Sequence, residues 1–139
     1  MKLCNDTITV FNARVDPDVG GNVWIPTVIT GASWYLTDAA TVDASKGGLV
    51  AANKATIRIP VEANTGGKAY ADPVRYASAG DVSGLWTLKG GDIVVKAAVE
   101  GSDWTPARLK KEYAECVTVL AATDNRRAPH GKHWRITAT

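Results

Sequence analysis

The feature that most constrains this chain is a set of short segments in which apolar and polar residues alternate. Between residues 7 and 14, Ile8 and Val10 face one way while Phe11 faces the other. Residues 55–60 alternate in the same manner. A period of two indicates β-strands with one buried face, and β-branched residues favour that pleated surface. The sequence therefore predicts a mainly β protein.

Turn residues divide the alternating segments from one another. The Asp-, Pro- and Gly-rich stretch 16–21 predicts a hairpin between strands at 7–14 and 23–29, because Pro fixes φ and Gly tolerates positive φ. Pro26 has no N–H to donate, so it belongs at a sheet edge or a bulge. Gly31 is predicted to end the second strand.

One helix and several further strands are predicted in the rest of the chain. Thr105 and Pro106 predict the start of the helix, which runs to residue 114, since Thr caps free N–H groups and Pro suits the first turn. The expected fold is a small β-barrel or sandwich of six or seven strands with one short α-helix and long loops. The other strands are expected at 33–36, 55–60, 116–120 and 133–137, with a hairpin formed by 86–88 and 93–96.

Length and loop content define the expected domain. The 139 residues suit a single domain spanning residues 1–139. Two segments, 38–54 and 61–84, are rich in Gly, Ala and polar residues and are expected to be long loops, with a short strand at 40–42 and a helical turn at 73–77. Loops of this length inside a compact domain are often functional.

Charge and apolar runs limit the partners that the chain is expected to have. The net charge of +2 does not indicate a nucleic-acid reader. No run approaches the ~18 apolar residues of a membrane helix, so no membrane partner is expected. The start, MKLCNDT, has no apolar core of a signal peptide, which predicts synthesis in the cytoplasm. The isolated Cys4 and Cys116 are expected to be reduced.

The residues that could carry chemistry form no recognisable site. Cys4, Cys116, His130 and His133 are the one metal-like set, but zinc would need three or four of them to converge, and the two histidines lie in a loop. Cys116 sits in an apolar run and is expected to be a small core residue. The sequence therefore predicts no catalytic residue, no metal and no cofactor.

The segment 124–135 is unusually polar and basic for a chain that is otherwise near neutral. It is either a solvated loop or a subunit contact, because Arg is favoured at interfaces for bidentate pairing. Four of the five Trp residues lie in predicted strands, where a core role is expected, whereas Trp104 at the helix start is expected to be exposed. The candidate subunit interface consists of Trp104, Asp124, Asn125, Arg126, Arg127, His130 and His133.

The order of these motifs resembles a family of small phage proteins encoded beside the portal and capsid genes of siphoviruses and of prophages of Gram-positive bacteria, which are minor capsid or head–tail connector components. The resemblance spans nearly the whole chain, and the order and spacing of its motifs carry it. The motifs are residues 7–12, residues 24–29 followed by Gly31 and 34–35, residues 55–60, residues 88–96, and residues 124–127 through 133–134.

Within that family the chain is similar to the stopper, or head-completion, proteins. The resemblance implies a homo-oligomeric ring, six- or twelve-fold, with the adaptor and portal above it and a tail-terminator or tail protein below. It implies location in the virion, with assembly in the host cytoplasm, and transient contact with packaged DNA. Long loops would then reach the channel of the ring, and the candidate channel residues are Lys46, Gly47, Gly48, Gly66, Gly67 and Lys68.

Three other readings stay open at the level of sequence. The chain could be another structural protein of the virion, either a tail terminator or a capsid decoration protein. It could be a ligand-binding β-module that uses Trp34, Trp86 or Trp104 as a stacking platform. A metal-dependent hydrolase that uses Cys116 with the two histidines is the third.

Overall fold

The computed structural model describes residues 5–16, 18, 20–43, 48–101 and 103–139, without the side chains of residues 36–53. This part of the chain forms eight strands and two short helices. In chain order they are β1 (Asp6–Asp16), β2 (Gly21–Asp43), β3 (Gly48–Pro60), β4 (Ala69–Tyr70), α1 (Pro73–Ser78), β5 (Leu85–Trp86), β6 (Ile93–Val95), α2 (Pro106–Glu112), β7 (Cys116–Asp124) and β8 (His133–Ala138).

Six of the strands form one antiparallel, barrel-like sheet. They pair in the order β1-β2-β3-β8-β7-β6, and β6 pairs back to β1. The two remaining strands, β4 and β5, form a separate parallel pair beside the barrel. The prediction of a mainly β, barrel- or sandwich-like fold is therefore confirmed.

Two strands change partners along their length and thereby join the two halves of the barrel. β2 pairs with β1 through residues 21–32 and with β3 through residues 33–43. β7 pairs with β6 over residues 116–118 and with β8 from Val119 onward. Gly31 lies where β2 changes partner, at φ 92, a conformation that glycine adopts without steric cost. The expectation that Gly31 ends the strand is wrong, because the residue bends one continuous strand.

The alternation seen in the sequence places one set of side chains inside the barrel. Ile8, Val10 and Trp86 are at most 1% exposed there, and Trp34 and Trp134 are each 7% exposed. The expected core role is confirmed for these three tryptophans, whereas Trp24 is half-buried against the cluster that contains Phe11. Burying an apolar side chain such as Ile8 stabilises the fold by roughly 1.5–3 kcal/mol.

The outer face of β1 is covered by the second helix. Phe11 packs there against Leu109 of α2 and against Val99, in a cluster separate from the barrel interior. Thr105 caps α2 by accepting from the Arg108 N–H at 3.2 Å, as the sequence predicts. No helix in the described residues has the length and apolar character that crossing a membrane requires.

The helical turn predicted in the segment 61–84 is the helix α1. The Asp72 carboxylate accepts from the Arg75 N–H at 2.9 Å and Pro73 follows at the first helical position, so α1 starts on the same kind of signal as α2. Tyr76 of α1 is buried against neighbouring apolar residues, which ties the segment to the barrel. The described residues thus form two helices, where the sequence predicts one.

The predicted hairpin of 86–88 with 93–96 is wrong. β5 pairs with β4, whereas β6 pairs with β1 and β7. The glycines at 90 and 91 make a turn, but the next residue, Asp92, is buried and accepts hydrogen bonds from Asn12 and Ala13 of β1. The residues that follow it therefore pair with β1, and these tertiary contacts outweigh the local turn signal.

The predicted loop 38–54 is also wrong, because most of it is paired strand. β2 and β3 stay paired for seven residue pairs beyond the barrel, from Thr37 with Lys54 to Asp43 with Gly48. We call residues 37–43 and 48–54 the arm; at about 3.3 Å per residue it is about 20 Å long. No third strand of the described chain pairs with it. Residues 44–47 lie outside the described residues.

A buried polar network fixes β1 to the segment that precedes β6. The Asn12 Nδ2 donates to Thr87 O at 2.7 Å and to the Asp92 carboxylate at 2.8 Å. The same carboxylate accepts from the N–H groups of Ala13 at 3.2 Å and Lys89 at 3.1 Å. Burial raises the pKa of Asp92, and the hydrogen bonds and the nearby Lys89 charge oppose that rise.

We expect Asp92→Ala to lower the free energy of unfolding by about 2 kcal/mol at pH 7, because three N–H donors, two of them buried, lose their acceptor. Urea denaturation measures the change. The matched control is Asp81→Ala, an exposed carboxylate that accepts from one turn N–H. Equal losses in the two variants would contradict a structural role for the buried network.

The cost of Asp92→Ala is expected to depend on pH. Because burial raises the pKa of Asp92 above its ordinary value of 3.8, the folded chain holds this proton more tightly than the unfolded chain. The contribution of Asp92 is therefore fully present below the ordinary pKa and declines as the pH rises through the raised pKa. Urea denaturation of the wild type and of Asp92→Ala from pH 3 to 8 should show that the difference between their free energies of unfolding shrinks as the pH rises. A difference that grows with pH would reverse the sign of the pKa shift.

Candidate functional site

A cleft of about 480 Å³ lies beside the first half of β2. One wall is the loop that precedes α2, and the floor is the strand itself. We call it the Trp104 cleft; its lining residues are Asn22, Val23, Trp24, Ile25, Pro26, Gly101, Asp103, Trp104 and Thr105.

Trp104 is held in the wall of this cleft from three sides. Its Nε1 donates to Glu100 O at 3.1 Å, and its ring lies edge-on to Phe11 at 6.5 Å between centroids. The Arg108 guanidinium stacks over the ring at 4.1 Å while its Nε donates to Glu112 at 2.9 Å. Trp104 is therefore partly buried and fixed in place, whereas the sequence suggested an exposed side chain.

The floor of the cleft is an open strand edge. The Lys68 Nζ donates to Pro26 O at 2.9 Å from the side that does not face β1, so the backbone groups of Pro26 point away from β1. Thr30 points the same way, since it exchanges two backbone hydrogen bonds with Asn64. In a strand, the backbone N–H and C=O groups of residues two apart point to the same side. Those of Asn22 and Trp24 therefore also point away from β1, into the cleft.

No strand of the described chain pairs with β2 along Asn22 and Trp24 on that side. Pro26, which has no N–H, occupies an outward position of this edge. Of the two positions expected for Pro26, a sheet edge or a bulge, it occupies the edge, and it is the one sequence signal for that edge.

A second open edge lies on β7. The Asn125 N–H donates to His133 O at 2.9 Å, so the backbone N–H and C=O groups of odd-numbered residues in this part of β7 point toward β8. The backbone groups of Ala122 and Asp124 therefore point away from β8. β6 pairs with β7 over residues 116–118, and the Val119 backbone exchanges hydrogen bonds with Gly91 and Asp92. Beyond Val119, no described strand pairs with this side of β7. Leu120, at the irregular step in the register, is 54% exposed beside this edge.

Most of the residues predicted as a subunit interface come together in the hairpin that joins β7 to β8. Arg126 donates to both carboxylate oxygens of Asp124 at 2.9 Å, and this pairing holds the pKa of Asp124 below its usual range. The Arg126 guanidinium also stacks at 5.0 Å from the Tyr70 ring and 5.3 Å from the Trp134 ring. Arg126 is therefore anchored on an aromatic platform at the end of the barrel.

The other predicted interface residues of the same hairpin are partly hydrogen-bonded and partly exposed to solvent. His133 Nδ1 lies 2.5 Å from Gly131 O, so it donates to that carbonyl, and its Nε2 lies 3.3 Å from the Asn125 amide. Arg127 and His130 are exposed. Trp104 belongs to the cleft on β2 instead, so the structure divides the predicted interface between two surface regions.

The candidate channel residues also fall in two places. Gly66 and Gly67 have φ of 68 and 84 in a tight turn, and the ammonium of Lys68 donates to Pro26 O and to Thr27 Oγ1 at 3.0 Å. Partial burial lowers the pKa of Lys68. This loop is therefore tied to the barrel wall. Lys46 and Gly47 lie outside the described residues, and Gly48 is the last paired residue of the arm.

The metal-like set is not assembled in the described part of the chain, where no group of three His, Cys, Asp or Glu residues comes together. Cys4 lies outside that part. Cys116 is half-buried rather than a core residue, and burial raises the pKa of its thiol. His130 and His133 stay in the β7–β8 hairpin.

The fold and surface define an antiparallel barrel with two open strand edges and a projecting two-stranded arm. The chain belongs to a family of unknown function, DUF6751, which matches residues 3–139. No curated protein and no solved structure matches the chain. The resemblance to phage head–tail proteins therefore stays a prediction.

We expect Lys68→Met to lower the free energy of unfolding by about 1 kcal/mol, because the ammonium bonds two oxygens of β2. Thermal or urea denaturation measures the change, and Lys132→Met, on an exposed lysine of the β7–β8 hairpin, is the control. If both variants are as stable as the wild type, the loop at residues 65–68 is not tied to the barrel.

Proposed function

We propose that the chain is a non-enzymatic structural subunit of a tailed-phage or prophage particle that assembles into a ring at the head–tail junction. The tier is that of the stopper, below the portal and adaptor and above a tail-terminator or tail protein. The order of sequence motifs supports the phage assignment, and the surface of the barrel supports assembly.

The arm is the observation that carries the proposal. A two-stranded hairpin alone in water is marginally stable, so seven residue pairs beyond the barrel indicate a segment that completes its packing against something else. In a ring, each copy would project one arm, and the arms would meet one another in the channel or contact the neighbouring ring.

The arm therefore replaces the turn at Gly66, Gly67 and Lys68 as the stronger candidate for the element that closes the channel. In the sequence, the candidate residues Lys46 and Gly47 lie between the two strands of the arm, and Gly48 begins its second strand. A near-neutral protein suits transient contact with DNA, because strong phosphate binding would retard a moving duplex.

One observation favours a second candidate function. The Trp104 cleft is concave and lined largely by apolar and aromatic residues, which is typical of small-ligand sites. A ligand-binding β-module would bind a glycan or other small molecule as a monomer, and a glycan array on the purified chain distinguishes this function from assembly. Copy number per particle distinguishes the stopper from a tail terminator or a capsid decoration protein.

We expect a shortened arm to release DNA from assembled particles. Replacing residues 38–53 by Asn-Gly joins Thr37 to Lys54, which are register partners, through a two-residue hairpin turn. Particles made with this variant should contain the subunit but expose their DNA to nuclease. Mass spectrometry of purified particles and quantitative amplification of nuclease-resistant DNA measure the two effects.

The matched control for the shortened arm is Val74→Ser, which changes the most exposed large apolar residue of the described chain outside the arm. It should leave both measurements at the wild-type level. Full, nuclease-resistant heads with the shortened arm would contradict the channel role. Absence of the wild-type subunit from particles would contradict the proposed function itself.

A further inference from the structure

Each of the two open strand edges presents backbone N–H and C=O groups that no described strand pairs with. The edge of β2 presents outward N–H and C=O groups at Asn22 and Trp24, and the edge of β7 presents them at Ala122 and Asp124. Backbone groups at an open edge are a template for pairing with another strand. Each edge is thus able to accept the other.

The two edges belong to opposite sides of the barrel. In one half the strands run β2-β1-β6-β7, and in the other they run β2-β3-β8-β7. Two strands therefore separate β2 from β7 in both halves, so the edges cannot pair within one molecule. Pairing between them needs a second copy.

The charges of the two surfaces are also complementary. The stretch from residue 15 to residue 26, which includes the β2 edge, has two aspartates and no Lys or Arg, and Asp103 adds a carboxylate in the cleft wall. Two cations lie beside these carboxylates: Arg108, which is paired with Glu112, and Lys68, whose ammonium donates to Pro26 O and Thr27 Oγ1. The β7–β8 hairpin has one carboxylate against four cations, which are Arg126, Arg127, Lys132 and Arg135.

Apolar surface matches as well. Leu120 is exposed beside the β7 edge, and the Trp104 cleft beside the β2 edge is lined by Val23, Trp24 and Ile25. An exposed leucine next to one strand and an apolar cleft next to the other fit the usual make-up of an interface, with an apolar centre and a charged rim.

We propose that copies of this chain associate head-to-tail, with the β7 edge of one copy paired along the β2 edge of the next and Leu120 seated in the Trp104 cleft. This inference rests on the proposed role as an assembling subunit. It assigns the two halves of the predicted interface to opposite faces of one contact, with Trp104 on one side and the β7–β8 hairpin on the other. A contact between two different patches closes into a ring or continues as a filament.

Proline substitutions test this pairing because each removes an outward N–H while sparing the inward ladder. Asn22→Pro blocks the β2 edge and Ala122→Pro blocks the β7 edge. Each variant alone should be a monomer, with self-association at least about tenfold weaker than that of the wild type in sedimentation equilibrium. Circular dichroism and denaturation confirm that each variant is folded.

A mixture of the two variants gives the decisive result. Asn22→Pro keeps an intact β7 edge and Ala122→Pro keeps an intact β2 edge, so the mixture should form one-to-one dimers and nothing larger. Leu120→Asp, which leaves both edges intact, should also weaken self-association, whereas Val74→Asp, an exposed apolar site outside both patches, should not.

Two results would overturn the inference: a wild-type chain that stays monomeric up to about 1 mM, or single proline variants that form the same oligomer as the wild type. A mixture of folded variants that stays monomeric would do the same. Oligomers that obey these rules but never enter phage particles would refute the proposed function and leave the contact standing. If a chain that carries both Asn22→Pro and Ala122→Pro is still incorporated into particles, the contact is refuted and the proposed function is not.

Discussion

Backbone hydrogen bonding along β2 is the constraint on which the rest of the structure depends. This strand pairs with β1 in its first half and with β3 in its second half, and Gly31 lets the backbone bend between them. Each half of the strand has two edges, and one partner satisfies only one of them. The barrel therefore closes while leaving the outer edge at Asn22 and Trp24 open, and the strand then continues beyond the barrel as one side of the arm.

The same geometry recurs at β7, which passes from β6 to β8 and leaves its own outer edge open. Open edges are usually covered or blunted in proteins that stay monomeric. Here one edge runs beside an apolar cleft and the other beside an exposed leucine and a basic hairpin. Pro26 and the Lys68 ammonium protect one end of the β2 edge. Asn22 and Trp24 lie beyond them, and they are the part of the edge that the proposed assembly covers.

The interior shows how far the sequence could predict the fold. Alternation at Ile8, Val10 and residues 55–60 identified the barrel strands, and Thr105 with Pro106 identified α2, because these signals are local. The hairpin at 86–96 and the loop at 38–54 were predicted wrongly because their structure depends on contacts between segments that are distant in the sequence. Asp92 is placed by Asn12, 80 residues away in the sequence, and the arm exists because β2 and β3 continue a pairing that begins inside the barrel.

The candidate site was predicted in part. Segment 124–133 does form one hairpin, but the sequence could not show that Trp104 lies on a different surface or that Lys68 is tied to β2. Open edges leave almost no mark on composition, since the groups that define them are backbone groups. Pro26 was the one residue type that signalled an edge, because proline lacks the N–H that an inner position requires.

Residue-resolved hydrogen exchange of the assembled protein tests the central claim most directly. The amides of Asn22, Trp24, Ala122 and Asp124 should exchange slowly in the assembly and rapidly in the monomeric Asn22→Pro variant, apart from position 22 itself, which has no amide there. Inward amides such as that of Thr123 should exchange alike in both. Rapid exchange at the four outward amides of the assembly would show that the edges stay open, and would contradict the account.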